Sequence, residues 1–100
     1  MNLVFRALAD PTRRRILQLL RARNMNAGEI ASHFSVSKPT LSGHFTILRD
    51  AGLVTAEKSG TTVTYRLNLS VLEDALLGFA DGFGIGQPKP RRARAAKGLA

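Results

Sequence analysis

The stretch that decides the fold covers residues 26–52 and reads NAGEIASHFSVSKPTLSGHFTILRDAG. Asn26 and Glu29 have the spacing of a capping box, in which each side chain bonds the backbone N–H of the other residue. Ser37 is a second predicted N-cap, and Gly52 has the place that glycine favours just past the end of a helix. The stretch therefore predicts two short helices, one starting after each cap.

The second of these helices is predicted to be amphipathic. Leu41, Phe45 and Leu48 fall on one stripe because their spacing follows the helical period, and polar residues cover the other side. Two helices joined by three or four residues form a helix-turn-helix. We place its turn at residues 34–37 and expect Val36 to pack between the helices.

Two more helices are predicted upstream of this motif. The first covers residues 3–9, and the second begins at the Asp10-Pro11 pair and runs to about Arg23. Aspartate is a favoured N-cap, and proline fits the first helical position because the N–H that it lacks has no partner there. The second helix has an apolar side with Ile16, Leu17, Leu19 and Leu20, and a basic side with Arg13, Arg14 and Arg21.

A β-hairpin is predicted directly after the motif. Residues 53–58 and 62–67 have strand character, and residues 59–61 form a glycine-containing turn between them. A hairpin in this place is the wing of a winged helix-turn-helix. The predicted fold class is therefore mainly α with a small β-hairpin, in the order helices, hairpin, helix.

A last helix is predicted to follow the hairpin. Ser70 and Glu73 have the spacing of another capping box, and the helix should end between residues 83 and 85. Its apolar residues are spaced four, three and four apart, which places them on one seam. They are Leu72, Leu76, Phe79 and Phe83.

The protein is small and strongly basic. Its 100 residues include 15 Lys and Arg against 7 Asp and Glu, which gives a net charge of +8. This length fits one domain, which we place at residues 1–86. Residues 87–100 are basic, without an acid, and have little to bury, so we predict a disordered basic tail. Such a tail is either simply solvated or bound to a polyanion.

Composition also argues against several classes of site. The chain has no cysteine, which excludes disulfides, thiolate metal sites and cysteine nucleophiles. Neither His33 nor His44 belongs to a recognisable catalytic arrangement, so we expect no enzyme activity, no metal and no cofactor. No apolar run has the length of a signal peptide or a membrane span, and we expect a cytoplasmic protein that binds no membrane.

Five segments of the chain follow a known order: ALADPTRRRIL at 7–17, GEIA at 28–31, SKPTLSGHF at 37–45, LRDAGLV at 48–54 and YRL at 65–67. Together they resemble the ArsR-type winged-helix repressors of bacteria, and within them the metal-free, autorepressor-like branch. The resemblance extends over residues 5 to about 70, and its ordered set of motifs is specific although no single motif is decisive. It implies a repressor that dimerises through its first and last helices.

The sequence departs from the metal-sensing members of that family at both of their metal sites. Their cysteine pair corresponds to Asn26 and Gly28, and their Asp and His ligands on the last helix to a segment with Leu72, Asp74 and no histidine. The comparison with the family therefore implies no metal sensing. Gly43 replaces a larger polar residue that is common in the family, which puts one base contact in question.

The N-terminal part of the second motif helix is the predicted DNA-recognition surface, because the major groove admits an α-helix whose first turns touch base edges. The wing is expected to reach a flanking phosphate or the minor groove. The predicted DNA-binding residues are Ser37, Lys38, Thr40, Ser42, Gly43 and His44 in the helix, and Lys58, Thr61, Thr62 and Arg66 in the wing.

Each of these assignments has a structural alternative. Ser37 serves first as a helix cap, and a lone helical histidine such as His44 is often a packed residue. Thr40 and Ser42 can be plain solvent-facing residues, and the wing can be a solvated hairpin. The arginines at 13–15 are better explained by a solvated face or by partners within the chain than by DNA contacts.

Part of the apolar seam on the last helix must cover the core of the domain itself. We expect the rest to pair with the first helix of a second copy, as the resemblance also implies. Such a homodimer places two recognition helices about 34 Å apart, one turn of DNA, and predicts a palindromic operator. The predicted interface residues are Leu3, Val4, Phe5, Leu72, Leu76, Phe79 and Phe83.

These features predict a sequence-specific transcriptional regulator that binds double-stranded DNA, acts as a dimeric repressor and senses no metal. Two alternatives stay open. The winged helix can be a protein-binding module, since fold alone does not fix function. The repressor can also respond to an organic effector, which the sequence does not reveal.

Overall fold

The computed structural model describes residues 2–86 and confirms the winged helix-turn-helix fold. Three antiparallel strands form a small sheet beside a mainly helical body. The predicted basic tail at 87–100 lies outside the described residues. In chain order the elements are α1 (Asn2–Leu8), α2 (Pro11–Ala22), β1 (Met25–Asn26), α3 (Ala27–Ala31), α4 (Lys38–Asp50), β2 (Val54–Ser59), β3 (Thr62–Leu67) and α5 (Leu69–Gly82).

Side chains cap α2 and α3 as predicted. At the start of α2, the backbone N–H of Arg13 donates to Asp10 Oδ2 at 3.1 Å. In the capping box of α3, the Glu29 N–H donates to Asn26 Oδ1 at 2.8 Å and the Asn26 N–H donates to Glu29 Oε1 at 2.9 Å. These bonds satisfy N–H groups that the first turn of a helix leaves without backbone partners.

The end of α4 is a glycine-dependent Schellman turn. Gly52 has a φ of 75°, in the left-handed region where a Cβ is unfavourable. Its N–H donates to the Arg49 carbonyl at 2.9 Å, and the Leu53 N–H donates to the Leu48 carbonyl at 3.0 Å. This turn fixes the direction in which the chain leaves the recognition helix and enters the wing.

The sheet has the order β1-β3-β2, and both pairs are antiparallel. The two-residue strand β1, which was not predicted, places Met25 opposite Tyr65. In the wing Ser59 is opposite Thr62, so the loop has two residues rather than the predicted three. Its first residue, Gly60, has a φ of 63°, as a tight hairpin turn of this kind requires.

The core holds the two motif helices against the rest of the domain. Ile16 of α2, Ile30 of α3, Leu48 of α4 and Leu53 just before β2 are all fully buried. The predicted apolar stripes of α2 and α4 are confirmed as core. The rings of Phe45 on α4 and Tyr65 on β3 are stacked, with 4.4 Å between their centroids. This contact packs the recognition helix against the wing.

The predicted capping box of the last helix is wrong. The helix begins two residues earlier than a cap at Ser70 implies, at Leu69, and its N-cap position is Asn68. Ser70 is thus inside the first turn, and its hydroxyl donates to Asn68 Oδ1 at 3.0 Å instead of accepting from a backbone N–H. The spacing of Ser70 and Glu73 suits a cap, but the chain enters the helix straight from β3.

The turn of the motif also differs from the prediction. It covers residues 32–37, because α3 ends at Ala31 after little more than one turn. Val36 is 40% exposed and does not fill the space between the helices. Phe34, two residues earlier, packs against the core instead, so Val36 is left on the surface.

Candidate nucleic-acid interface

The N-terminal half of α4 presents a polar, exposed face. Ser37 is confirmed as the N-cap, with the Thr40 N–H donating to Ser37 Oγ at 3.3 Å. The buried stripe on the other side of α4 anchors the helix, so this face is held outward by packing. Its exposed residues are Ser37, Lys38, Thr40, Ser42 and Gly43, which are five of the six predicted helix contacts.

Gly43 leaves the backbone of α4 uncovered on that face, because glycine has no side chain. A Cβ built at this position would meet no atom within 4 Å, so the protein itself does not require glycine there. Glycine in a helix interior costs roughly 1 kcal/mol relative to alanine. The position therefore weakens α4 without a structural reason, while it allows another molecule to approach the backbone closely.

His44 differs from the other predicted contacts. Its side chain is only 15% exposed and lies against the start of α2, where Nδ1 is 3.2 Å from Arg13 Nη1 and 3.9 Å from Asp10 Oδ2. This geometry favours the packed alternative over a base contact. Arg13, which no sequence pattern connects with α4, is the residue that sequence reasoning missed. The two residues are 31 positions apart, so no local pattern reveals their contact.

The wing presents the four predicted contacts at the surface. Lys58, Thr61, Thr62 and Arg66 are all exposed, and they lie at the tip and along the two strands of the hairpin. Arg66 Nη2 is 3.9 Å from Glu57 Oε1, an exposed pair of the kind that contributes little. Arg66 is therefore free to exchange this partner for a phosphate.

The arginines that begin α2 have partners within the chain. Arg13 Nε donates to the Ala7 carbonyl at 2.8 Å, and Arg14 Nη1 donates to the Leu8 carbonyl at 2.8 Å. These bonds cap the last carbonyls of α1, which have no helical partners.

A second exposed surface, which we call the apolar seam from here on, is formed by α1, by α5 and by Phe83 at the C-cap of α5. Leu3, Leu76, Phe79 and Phe83 are exposed, and Phe83 is 70% exposed. The Phe79 ring contacts Phe5 at 5.2 Å and Phe83 at 5.1 Å between centroids, which joins the two helices in one aromatic cluster. Apolar groups of this size on adjacent helices are typical of an interaction surface.

Two details of the predicted interface change. Val4 is only 5% exposed and belongs to the core of its own domain, because α1 turns this side chain inward. It therefore has little surface to offer a second subunit. Leu77 and Ile85, which were not predicted as interface residues, are also exposed.

The described part of the chain has no group of three His, Asp or Glu residues that could hold a metal ion. Across residues 2–86, every helix is too short or too polar to cross a bilayer.

Comparison with known proteins identifies the family. The sequence profile of the family described as "Bacterial regulatory protein, arsR family" matches residues 10–56. This range runs from the cap of α2 into the wing. The chain is 47% identical to the transcriptional repressor SdpR of Bacillus subtilis over 76 residues, which cover 76% of this chain and 84% of that protein. It is 37% identical to the arsenical resistance operon repressor of Staphylococcus aureus over 76% of this chain and 73% of that one.

Solved structures agree with the sequence comparison. The crystal structure of an ArsR family transcriptional regulator superposes with a TM-score of 0.77 at 29% identity, covering 83% of this chain and 91% of that chain. The fold, the exposed recognition helix and these relatives agree. The chain belongs to the ArsR family, whose members are transcriptional regulators rather than enzymes.

Proposed function

We propose that the protein is a sequence-specific repressor that binds a palindromic operator as a homodimer. The observation that carries the proposal is the exposed polar face at the start of α4, held outward by the buried stripe of Leu41, Phe45 and Leu48. In this geometry the first turns of α4 enter the major groove and the wing follows the adjacent backbone. Its target in this proposal is double-stranded DNA, and we place its action in the cytoplasm.

Residues of the two elements have different tasks in this proposal. Lys38 and Thr40 project from the first turn of α4, where side chains reach base edges. Lys58 and Arg66 are on the wing, where cations meet phosphates that carry no sequence information. Base contacts should therefore determine which DNA is bound, and wing contacts how tightly any DNA is bound.

The apolar seam supports the homodimer. Its exposed leucine and phenylalanine side chains are on α1 and α5, at a distance in sequence from the recognition helix. Pairing two copies through this seam removes the aromatic surface from water and leaves both α4 helices free. Bound to its operator, such a dimer would block access to a promoter.

A titration of fluorescent DNA by the purified protein tests the proposal. The upstream region of its own gene is compared with random DNA at several salt concentrations. If a dimer neutralises about 6 to 8 phosphates, the slope of log K against log salt should be about −5 to −7. Lys38→Ala should relax the choice of sequence, whereas Lys58→Ala should weaken binding to all sequences alike. Equal affinity for both DNAs would defeat the proposal.

The same titration separates this function from a protein-binding module. Phosphate contacts release counterions, so DNA affinity must fall steeply with salt. Affinity that does not change between about 50 and 200 mM salt would favour the protein-binding alternative.

We also propose that the protein senses no metal. The chain has no cysteine, and residues 2–86 offer no cluster of three other ligands. Equal DNA affinity with Zn²⁺ and with a chelator is the expected result. A large change in affinity on adding metal would contradict it.

An organic effector is the second candidate, because one groove favours it. The groove has a volume of about 420 Å³, in the size range of small-molecule sites, and lies between α2 and α5. Leucines form its walls, Arg14, Gln18 and Arg21 line it too, and no acid does. Its leucines are Leu8, Leu17, Leu67, Leu69, Leu72 and Leu76.

This lining fits an organic anion with an apolar body. Decanoate should raise the Tm of the protein and decanol should raise it less, because only the acid uses the arginines. Arg21→Gln should remove the difference, while Arg23→Gln, outside the groove, should keep it. No shift of Tm with either compound would leave the repressor without this effector site.

A further inference from the structure

One side chain connects the first helix of the domain to the recognition helix. The guanidinium of Arg13 donates from Nε to the Ala7 carbonyl at 2.8 Å and from Nη2 to the Arg6 carbonyl at 3.0 Å, both at the end of α1. Its remaining nitrogen, Nη1, is 3.2 Å from His44 Nδ1 on α4. The three nitrogens of one rigid, planar group are thus shared between two helices.

The chemistry of Arg13 and His44 fixes the direction of the hydrogen bond between them. An arginine only donates, so a hydrogen bond between the two side chains has Nδ1 of His44 as its acceptor. A hydrogen bond from a charged donor in a partly buried place is stronger than one between neutral groups. Asp10 Oδ2, 3.9 Å from the same Nδ1, places a negative charge beside the contact.

Arg14 provides an internal comparison. It caps the same end of α1 through the Leu8 carbonyl at 2.8 Å, with the same kind of bond. It makes no contact with α4 among the hydrogen bonds of the described residues. Both arginines cap carbonyls of α1, and the additional contact with His44 is what distinguishes Arg13 as a link to the recognition helix.

We propose that Arg13 is a positioning residue for DNA recognition, which acts through His44 to hold α4 at a fixed height and angle relative to α1. The inference rests on the proposed function, since it concerns how that recognition surface is placed. His44 directly follows Gly43 and lies one turn beyond Thr40, so a shift at His44 moves the face that reads bases. Because α1 also carries Phe5, which packs on Phe79 in the apolar seam, the same guanidinium connects that surface to α4.

The test uses four single variants, the Arg13→Gln/His44→Leu double variant and three measurements. Arg13→Gln removes the donor, His44→Leu removes the acceptor with little change of volume, and His44→Asn supplies another acceptor. Arg14→Gln is the matched control. For each variant we measure the affinity for an operator selected from a random DNA library by the wild-type protein. We also measure the affinity for random DNA with its salt slope, and the Tm.

Arg13→Gln and His44→Leu should each lower operator affinity by about tenfold or more and leave random-DNA affinity unchanged. The double variant should be no worse than either single variant, because both remove one interaction. His44→Asn should recover part of the loss, and Arg14→Gln should leave the ratio of the two affinities as it is. The variants must be folded at the assay temperature, which Tm establishes.

Three outcomes would overturn the inference. A salt slope reduced by about one in Arg13→Gln alone would make Arg13 a direct phosphate contact. Additive losses in the double variant would mean that the residues act separately. A lowered Tm with an unchanged affinity ratio would leave only a structural role. If the wild-type protein itself does not prefer the operator, the proposed function fails and takes this inference with it.

Discussion

Ser37 and Thr40 share two hydrogen bonds at the start of the recognition helix. The Ser37 hydroxyl accepts from the Thr40 N–H at 3.3 Å and donates its proton to Thr40 Oγ1 at 2.9 Å. The serine proton is therefore used within the protein, while the Thr40 hydroxyl still has its own proton to donate. Thr40 is thus prepared to donate to an acceptor such as a guanine or phosphate oxygen.

This arrangement predicts that one substitution mainly lowers operator affinity and the other mainly lowers stability. Thr40→Val keeps the shape of the side chain and should lower operator affinity while changing stability little. Ser37→Ala removes the cap and should cost about 1 kcal/mol of the free energy of unfolding. Urea denaturation and DNA titration of both variants measure the two quantities. Loss of stability in Thr40→Val with full affinity would contradict the assignment.

Gly43→Ala should separate stability from recognition. The added methyl group meets no protein atom, so the helix should gain up to about 1 kcal/mol in the free energy of unfolding. If DNA approaches the backbone here, operator affinity should fall despite the gain. Chemical denaturation and titration of the same preparation test this. Unchanged affinity would show that DNA does not contact this position closely.

Phe83→Ser should weaken self-association. The ring is the most exposed of the large apolar side chains in the described residues and touches Phe79 at the end of the seam. Its removal should raise the dimer dissociation constant and lower the Tm of the monomer little. Val36→Ser, an exposed apolar residue outside the seam, is the control. Equal masses in sedimentation for both variants and wild type would contradict a dimer built on this surface.

Deleting residues 87–100 should lower affinity for every DNA sequence alike. The segment carries basic residues and no acid, and cations of this kind act on phosphates rather than bases. The salt slope should become shallower by about one for each phosphate that the tail no longer neutralises. A truncated protein with altered sequence preference but an unchanged slope would assign the tail a different role.

Acid should destabilise the fold through Glu29 and Asp10. The hydrogen bond from the Asn26 N–H lowers the pKa of Glu29 below its ordinary 4.5, and the Arg23 guanidinium adds to this. Partial burial works to raise the pKa of Asp10, but the Arg13 N–H and other groups outweigh it and the net pKa is lowered. A carboxyl with a lowered pKa stabilises the fold above its unfolded pKa and loses this as pH falls through the folded value.

Stability should therefore decline as pH falls through 4.5, the ordinary pKa at which Glu29 is half protonated in the unfolded chain. Glu29→Gln together with Asp10→Asn should flatten this decline, because neither amide titrates. Urea unfolding across the acid range measures it. The same slope in the double variant and the wild type would rule out these two carboxyls as the cause.

Sequence reasoning succeeded where the determinants are local. The capping box of Asn26 and Glu29, the cap at Ser37 and the glycine at 52 each act within three or four residues, and all are confirmed. The heptad-like stripe of α4 is likewise confirmed as buried. These features were sufficient to predict the winged helix-turn-helix.

Sequence reasoning failed where interacting residues are far apart in the chain or where two residues compete for one position. The strand β1 exists only because Met25 meets Tyr65, which no pattern around Met25 reveals. Phe34 takes the interior position that was predicted for Val36, and the direct exit from β3 overrules the capping spacing at Ser70.

The measurement closest to the central claim is selection of bound DNA from a random library by the wild-type protein and by Lys38→Ala. We expect an inverted repeat whose half-sites lie about 10 base pairs or a multiple apart, and a relaxed preference within each half-site for the variant. Enrichment of no symmetric sequence, or the same strict preference from both proteins, would contradict a dimer that reads DNA through α4.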